Sequence, residues 1–409
     1  MSLYQQVDQC RSCGAKLADV FLDLGLSPVA DNLANTPGEA TAFVPLQLVW
    51  CHQCYLVQLK SHVKPEVVYN DAYPYFSSAI ASLVERSRKT VNSICQRYSL
   101  AENSTVVEIA ANDGYLLQHF SDFGVRVLGV EPCESQAQES IKKGIETRQE
   151  FFTAALAVQL VKQLPSVDLV IANNVAAHVN DINDFMRGVA TLIGDFGHAV
   201  FEVHYLGDLL KNRQFDTIYH QHIFYYSLTS FRSLLRRWKM EVLSVEHIDA
   251  YGGSLRLHTG KVGVVDHSVE QLMLQEQELG IVSGDNYQNY AVELESTKTK
   301  IKLLVNQLVA DGKTIVGYGA AAKASTLLHA CGFDVGQIQC IVDVNPDKHG
   351  RYMPGTSIRV EEIASLDDFR PDYILIFAWN YAEEVMRQLA SYHYAGTKFI
   401  LPVPDPVIV

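Results

Sequence analysis

The 409-residue sequence lacks a basic excess, a long apolar run and an N-terminal secretion signal. Its 33 lysines and arginines are outnumbered by 46 aspartates and glutamates, which gives a formal net charge of −13. This balance argues against non-specific nucleic-acid binding, which needs a basic surface. The sequence contains no run of about 18 apolar residues, so no membrane span is predicted. Residues 1–5 lack the charged and apolar parts of a signal peptide. We therefore expect a cytoplasmic protein that binds neither nucleic acid nor membrane.

Cysteine is scarce, but the spacing of half of the eight cysteines is informative. Four of them form two CxxC pairs, Cys10-x2-Cys13 and Cys51-x2-Cys54. In a chain without a secretion signal, this pattern is typical of a tetrahedral thiolate zinc site rather than of disulfides. We predict that the four cysteines hold one structural zinc ion within a small module, residues 1–70, which has too little apolar periodicity to fold without the metal.

Two stretches of alternating strands and helices follow the module. In residues 71–265 a helix is predicted over 80–98, and short apolar strands over 105–110, 125–130, 168–172 and 199–203. A long amphipathic helix is predicted over about 270–311, and a second set of strands over 314–318, 338–343 and 373–377. Buried parallel strands separated by helices indicate a doubly wound α/β fold, in which ligands lie at the carboxyl ends of the strands. We predict two Rossmann-like domains, residues 71–265 and 266–409.

The first α/β unit carries acidic residues suited to binding S-adenosylmethionine (SAM). Glu108 lies on a strand that runs into a turn of small residues ending at Gly114. A helix is predicted over 115–118, and the next strand ends at Glu131. The spacing allows Glu131 to accept hydrogen bonds from ribose hydroxyls, as the acid of a dinucleotide fold does. Only one glycine is present in the turn, which disfavours NAD. The predicted SAM residues, among which Phe151 and Phe152 lie either beside the adenine or in the core, are Glu108, Ala110, Asn112, Asp113, Gly114, Leu117, Glu131, Pro132, Phe151, Phe152, Asn173 and Asn174.

Histidine and tyrosine are concentrated in one segment, Tyr219-His220-Gln221-His222. Histidine titrates near neutral pH and a tyrosine hydroxyl can donate to a developing oxyanion. The cluster therefore suits removal of a proton from carbon and stabilisation of the resulting enolate. Taken alone, it is equally compatible with a hydrogen-bonded structural loop.

The four cysteines and the blocks EIAANDGYLL, NNVAAHVND, DTIYHQHIFYYSL, YGGSLR and GYGAAAKAST resemble the nucleotide-sugar C-methyltransferases over almost the whole chain. Enzymes of this family use SAM to methylate C-3 of a 4-keto deoxyhexose attached to a nucleoside diphosphate. The resemblance implies a class I methyltransferase domain in which His222 is the base and Tyr219 stabilises the enolate or shares the proton transfer. It also places two further members of the catalytic set, His178 where it reaches both sugar and cofactor and Tyr73 at the sugar pocket. A helix-capping His178 and a packing Tyr73 are the alternatives. The family commonly has glutamate at the position of Gln221, which belongs to the predicted catalytic set but carries no charge.

The second α/β unit has a turn of small residues, 317–322, before Lys323 at a helix start. Backbone amides and a lysine can bind an anion at such a place, so we predict that it binds the diphosphate of a nucleotide sugar. A purely structural lobe is the alternative. We predict a monomer, with substrate-binding residues Tyr75, Ser77, Lys323, Thr326, Lys348, Arg351, Trp379 and Asn380.

Two other functions are compatible with the pattern. One is a zinc-containing binding protein with a degenerate methyltransferase fold. The other is an NAD-dependent nucleotide-sugar oxidoreductase, because the predicted strand 338–343 ends in an acid, Asp343; the missing third glycine in the preceding turn argues against it.

Overall fold

A computed structural model describes residues 3–64, 68 and 75–409, and Tyr73 lies outside them. The N-terminal region is built from short strands. They are β1 (Tyr4–Gln6), β2 (Leu22–Pro28), β3 (Phe43–Trp50), β4 (Val57–Leu59) and β5 (Ser61–Val63). Strands β2, β3 and β4 form an antiparallel sheet, and β1 pairs with β5. The two CxxC turns lie at one end of this small unit.

A seven-stranded sheet flanked by helices forms the middle of the chain. Its elements are α1 (Ala81–Tyr98), β6 (Thr105–Ile109), β7 (Arg126–Val130), α2 (Glu134–Lys142), β8 (Thr147–Arg148), α3 (Ala154–Gln163), β9 (Leu169–Asn173), α4 (Ile182–Leu192), β10 (His198–His204), α5 (Leu206–Lys211), β11 (Phe224–Tyr225), α6 (Leu228–Arg236), β12 (Glu241–Ile248) and β13 (Ser254–Gly260). The strand order is β12-β13-β10-β9-β6-β7-β8. Strands β10, β9, β6, β7 and β8 are parallel, and β13 is antiparallel to both of its neighbours. All five residues of β6 are buried, as expected for a parallel strand covered on both faces.

A second α/β unit follows. It contains α7 (His267–Glu278), α8 (Gly284–Ala310), β14 (Ile315–Tyr318), α9 (Ala322–Cys331), β15 (Cys340–Val342), β16 (Arg359–Glu361), α10 (Leu366–Phe369), β17 (Tyr373–Ile376), α11 (Ala382–Gln388), α12 (Ala390–Tyr394), β18 (Lys398–Leu401) and β19 (Val407–Ile408). The strand order is β16-β15-β14-β17-β18-β19, and every pair is parallel except β18 with β19. This arrangement agrees with the predicted second Rossmann-like unit.

Two helix predictions were wrong in detail. The helix expected over 270–311 is two helices, α7 and α8, because the chain between them takes a left-handed conformation at Gly280 (φ 63°). A continuous α-helix cannot accommodate that dihedral angle. The helix expected after Gly114 is a 3-10 helix, Leu117–Phe123, whose first turn has no side-chain cap.

The N-terminal unit lies between the two α/β units and shares a core with each. Cys10, Cys51 and Leu56 pack into the same apolar cluster as Val107 of β6. A second cluster joins Leu46, Leu48 and Trp50 of β3 with Tyr287 of α8 and Ile341 of β15. In addition, β11 pairs with β4 and becomes the fourth strand of the N-terminal sheet. Among the described residues, no helix combines the length and the apolar character needed to cross a bilayer.

Candidate active site

The four predicted metal ligands come together in space. The Sγ atoms of Cys10, Cys13, Cys51 and Cys54 all lie within 4.8 Å of one another. The Cys10–Cys54 and Cys13–Cys51 sulfur pairs are 3.5 and 3.4 Å apart. Tetrahedral zinc with Zn–S bonds of about 2.3 Å separates its sulfurs by roughly 3.8 Å, so the four thiols fit this ion with little adjustment. A closed set of four thiolates gives zinc a structural role.

The turn after β6 is shaped by left-handed residues. Ala110, Asn112 and Gly114 have φ values of 58°, 51° and 75°. A Cβ atom on Gly114 would lie 2.4 Å from Ile145 Cδ1, the end of a flexible side chain, so glycine is favoured there mainly because of its left-handed backbone conformation. The carboxylate of Glu131, at the end of β7, accepts from the backbone N–H groups of Asn112 (2.9 Å) and Cys133 (2.9 Å). The predicted ribose acid therefore also holds the turn in place.

Buried oxygen acceptors line the carboxyl ends of β6 and β9. Glu108 Oε2, Asp113 Oδ1, Asn173 Oδ1 and Asn174 Oδ1 are buried and have no hydrogen-bond partner among the described residues. An unsatisfied buried acceptor is costly. A cationic ligand with amino and hydroxyl donors, such as SAM, fits this set of residues. Burial, followed by the nearby carboxylates of Glu131, Asp113 and Glu202, holds the pKa of Glu108 well above its usual range. A positive charge bound beside these carboxylates would offset their mutual repulsion.

Other predicted SAM and sugar residues surround this turn. Asn112 accepts from Ser77 N (2.8 Å) and donates to Tyr75 O (3.2 Å), so both predicted sugar residues lie against the turn. Phe152 packs edge-on against Phe185 with ring centroids 5.6 Å apart. The three predicted SAM residues not yet described differ in exposure: Leu117 is buried, Pro132 is partly buried and Phe151 is exposed.

A tyrosine–histidine pair lies in the loop before β11. His222 Nδ1 lies 3.1 Å from the carbonyl oxygen of Thr217. A carbonyl oxygen can only accept, so Nδ1 carries the hydrogen and Nε2 is left as an acceptor. The Tyr219 hydroxyl lies 2.8 Å from that Nε2 and donates to it. His222 is 3% exposed, whereas Tyr219 is partly exposed, so the tyrosine is the outer member of the pair.

Three histidines pack together behind Tyr219. The rings of His178 and His204 lie 4.8 and 4.7 Å from that of His222. Burial lowers the pKa of His178 to about 4 and that of His204 to about 3. Burial, followed by His204 and His178, holds the pKa of His222 well below its usual range. All three imidazoles are therefore neutral at pH 7, and a neutral imidazole can accept a proton.

His204 is a site residue that the sequence predictions missed. It is the last residue of β10, at the carboxyl edge where doubly wound sheets bind ligands. The end of a predicted strand could have identified His204 as a candidate, but the predicted strand, 199–203, ended one residue before it.

The second α/β unit brings a lysine towards the histidines. The ammonium group of Lys323 lies 4.2 Å from the ring centroid of Trp379 and donates to Asn380 Oδ1 at 2.7 Å. Burial lowers the pKa of Lys323 to about 8. Trp379 Nε1 in turn donates to Asp216 Oδ2 at 2.6 Å. After burial, the charge of Lys323 also contributes to the lowered pKa values of His204 and His222.

Four other predicted site residues have protein partners. Thr326 Oγ1 donates to Ile218 O (2.7 Å), Lys348 Nζ to Ala320 O (2.9 Å), Arg351 Nη2 to Leu33 O (2.7 Å) and Gln221 Nε2 to Ala30 O (2.6 Å). Each of these bonds crosses between distant parts of the sequence. Their predicted roles in substrate binding and catalysis stay predictions.

The fold, the acid-bounded turn and the buried acceptors define a SAM-dependent methyltransferase with a zinc site. Three family models match the chain: a zinc-binding domain over residues 10–69, a methyltransferase domain over 83–245 and a C-methyltransferase C-terminal domain over 249–404. The chain is 34% identical over 416 residues to C-methyltransferase NovU of Streptomyces niveus, an alignment that covers 100% of this chain and 98% of that protein. The chain therefore belongs to the C-methyltransferase family.

Solved structures with weaker likeness were also found. Magnesium protoporphyrin IX methyltransferase of Synechocystis PCC 6803 matches with 14% identity and a TM-score of 0.32, covering 43% of this chain and 79% of that one. A SAM-dependent methyltransferase of Aquifex aeolicus matches with 13% identity and a TM-score of 0.32, covering 42% and 89%.

Replacing Glu131 by alanine should raise the dissociation constant of SAM by roughly ten- to a hundredfold, or about 1.4–3 kcal/mol. The variant loses the predicted acceptor for the ribose hydroxyls and the carboxylate that holds the turn. Calorimetric titration with SAM measures the change. Glu131→Gln keeps one acceptor oxygen and should show a smaller loss. Affinity for a nucleotide sugar, the predicted substrate, should barely change, and an equal loss for both ligands would show that Glu131 acts on the fold rather than on SAM.

Proposed function

We propose that this C-methyltransferase methylates C-3 of a 4-keto-6-deoxy sugar carried on a nucleoside diphosphate. The observation that carries the proposal is the Tyr219–His222 pair, which offers an imidazole acceptor behind a phenol at the carboxyl edge of the SAM sheet. A keto group acidifies the hydrogen on the adjacent carbon, and a base at that carbon can generate an enolate. Carbon methylation needs such a nucleophile, whereas oxygen or nitrogen methylation does not.

Different residues would bind SAM and remove the proton. Glu108, Asp113, Asn173, Asn174 and Glu131 would hold SAM, which supplies an electrophilic methyl group on a positively charged sulfur. The Tyr219–His222 pair takes the C-3 proton. That proton ends on the pair, and the electron pair of the broken C–H bond moves to the keto oxygen.

Electrostatics favours the charge that this step creates. The negative charge on the keto oxygen needs a nearby positive group or hydrogen-bond donor. The ammonium group of Lys323, anchored on Trp379 and Asn380, is a cation that acts on the histidine cluster. We propose that the face of the second α/β unit with Lys323, Trp379 and Asn380 binds the charged part of the nucleotide sugar. Thr326, Lys348 and Arg351 would support this face through the backbone contacts described above.

The two other functions compatible with the sequence have less support. Family membership favours an enzyme over a degenerate binding protein. For an NAD enzyme, the acid after β15 would have to accept ribose hydroxyls. In the structure Asp343 accepts from Ala320 N (2.7 Å) and Asn345 N (2.8 Å), the same kind of backbone contacts that Glu131 makes, so these contacts do not separate the two cofactors. The missing third glycine in the turn 317–322 argues against NAD.

Incubation of the protein with SAM and a panel of nucleoside-diphosphate sugars tests the proposal. We expect a mass gain of one methyl group for a 4-keto-6-deoxy sugar and none for the matching 4-hydroxy sugar, because the latter has no acidic C–H bond. Proton–carbon correlation spectra of the product would locate the new methyl group. Methylation of the 4-hydroxy sugar, or a methyl group on oxygen, would contradict the proposal.

A further inference from the structure

Gln58 of β4 is connected to the predicted zinc ligands through its side chain. The residue is fully buried. Its Nε2 donates to Cys10 Sγ at 3.2 Å, and its Oε1 accepts from the backbone N–H of Arg11 at 3.2 Å. An amide N–H donor reduces the excess negative charge on a metal-binding thiolate and fixes its orientation. The side chain of Gln58 is thus part of the first cysteine turn.

The backbone of the same residue is paired with the segment 215–225, which contains the Tyr219–His222 pair and is called the catalytic loop below. Strand β11 follows His222 after one residue, and in the antiparallel ladder Phe224 lies opposite Gln58. Next to this pair, the N–H of Leu59 donates to the carbonyl oxygen of Ile223 at 2.9 Å. One residue therefore contacts a zinc thiolate with its side chain and faces the strand after His222 with its backbone.

Two side chains of the loop are anchored on the same N-terminal unit. His220 Nε2 donates to Val44 O at 3.2 Å, and Gln221 Nε2 donates to Ala30 O at 2.6 Å. Both are buried. Together with the β4–β11 ladder, these bonds hold the chain immediately before and after His222.

The cysteine turn is itself tied to the helices of the methyltransferase sheet. Asn183 Nδ2 of α4 donates to Arg11 O at 2.7 Å. Arg237, directly after α6, donates through Nη2 to Ser12 Oγ at 3.0 Å. The N-terminal unit therefore contacts α4 and the residue after α6 through its first cysteine turn, and the catalytic loop through its strands.

We propose that the zinc-binding unit positions the catalytic loop, with Gln58 as the positioning residue that couples the metal site to His222. Loops open more easily than packed elements unless contacts restrain them, and a displacement of about 1 Å at a reacting group can cost a factor of about 10² in rate. Zinc binding orders small cysteine units, so the restraint on the loop depends on the metal. Only the kinetic part of this inference rests on the proposed function.

Hydrogen–deuterium exchange followed by mass spectrometry tests the coupling in the full-length, zinc-loaded protein without SAM or sugar. Gln58→Met keeps the length of the side chain and removes its amide. We expect peptides from residues 215–225 to exchange about tenfold faster, while peptides from β6 and β7 stay unchanged. Gln47→Met on β3 is the matched control, because Gln47 bonds the exposed Asp23 rather than a thiolate, and it should leave the loop protected.

Kinetic and metal measurements complete the test. For Gln58→Met we expect zinc at about one ion per chain, a SAM dissociation constant within about twofold of the original, and kcat lower by about tenfold, within the range for outer-shell metal contacts. Loop exchange equal to that of the parent protein, or faster exchange spread evenly over β6, β7 and the loop, would overturn the proposal. If the protein methylates none of the sugars, the proposed function fails, but hydrogen–deuterium exchange of the loop still tests whether Gln58 positions it.

A loop-side variant covers the case in which Gln58→Met does not fold. Gln221→Met removes the bond to Ala30 O but leaves the cysteines and their partners untouched. Faster exchange confined to residues 215–225 would support the anchoring role of the N-terminal unit. Unchanged exchange in this variant would overturn it.

Discussion

Replacing His222 by asparagine should lower kcat by roughly 10²–10⁴-fold, the usual contribution of a general base. The structure gives the reason: Nδ1 is committed to Thr217 O, so the basic nitrogen is Nε2, and Tyr219 donates to it. Asparagine keeps polarity and approximate size but cannot accept and hold a proton. The measurement is kcat at saturating SAM and keto sugar. The dissociation constant of SAM should not change, since the predicted SAM acceptors lie on other loops.

Deuterium exchange separates loss of the base from loss of methyl transfer. In deuterium oxide, with the 4-keto sugar and an inert SAM analogue, the parent protein should introduce deuterium at C-3. His222→Asn should not. Undiminished exchange in the variant would assign the base role to Tyr219 or to His178, whose ring is 4.8 Å from His222.

The buried base should also set the pH dependence of the parent enzyme. Burial and two neighbouring histidines hold the pKa of His222 well below its usual range. A base with a lowered pKa stays unprotonated, and therefore active, above that pKa, and loses activity as the pH falls through it. We expect kcat/KM to stay on its plateau as the pH falls through about 6.5, the ordinary pKa of histidine. A fall in kcat/KM with its midpoint near pH 6.5 would contradict a buried base.

Local patterns in the sequence predicted the strands and the metal site well. The segment 105–110 predicted β6, observed over Thr105–Ile109, and 199–203 predicted β10, observed over His198–His204. Such strands are buried on both faces, so their apolar runs are visible without knowledge of the neighbours. The CxxC spacing predicted the four-cysteine cluster because each pair is held together by its own turn.

Contacts between distant segments could not be predicted in this way. The pairing of β11 with β4 joins Phe224 to Gln58, and neither segment carries a signal for the other. The same holds for Gln221. Its amide donates to Ala30 O and lies 3.5 Å from Asp31 Oδ2. Both neighbours can accept hydrogen bonds, so this position suits the amide donor of Gln221.

Replacing Tyr219 by phenylalanine should lower kcat by on the order of 10²–10³-fold. Tyr219 is the outer member of the pair, and its hydroxyl lies 2.8 Å from His222 Nε2. As the hydroxyl hydrogen of Tyr219 moves to His222 Nε2, the phenol oxygen can take the C-3 proton, and the hydroxyl formed in this way can donate to the enolate oxygen. Removing the oxygen atom removes both roles. The ring packing, 4.1 Å between the Tyr219 and His222 centroids, should survive in phenylalanine, so the loop should keep its shape.

Tyr225→Phe is the matched control for this substitution. Tyr225 lies three residues after His222, with ring centroids 6.3 Å apart, and no hydrogen bond joins its hydroxyl to His222 in the part of the chain that the structure describes. The kcat of Tyr225→Phe should stay within about twofold of the parent value.

Removing an interaction that forms only in the transition state lowers kcat and kcat/KM equally, whereas removing ground-state binding raises KM alone. Because the phenol acts on the proton and on the charge that follows its removal, we expect the first pattern for Tyr219→Phe. A rise in KM with unchanged kcat would make Tyr219 a sugar-binding residue and leave His222 to act directly on the substrate.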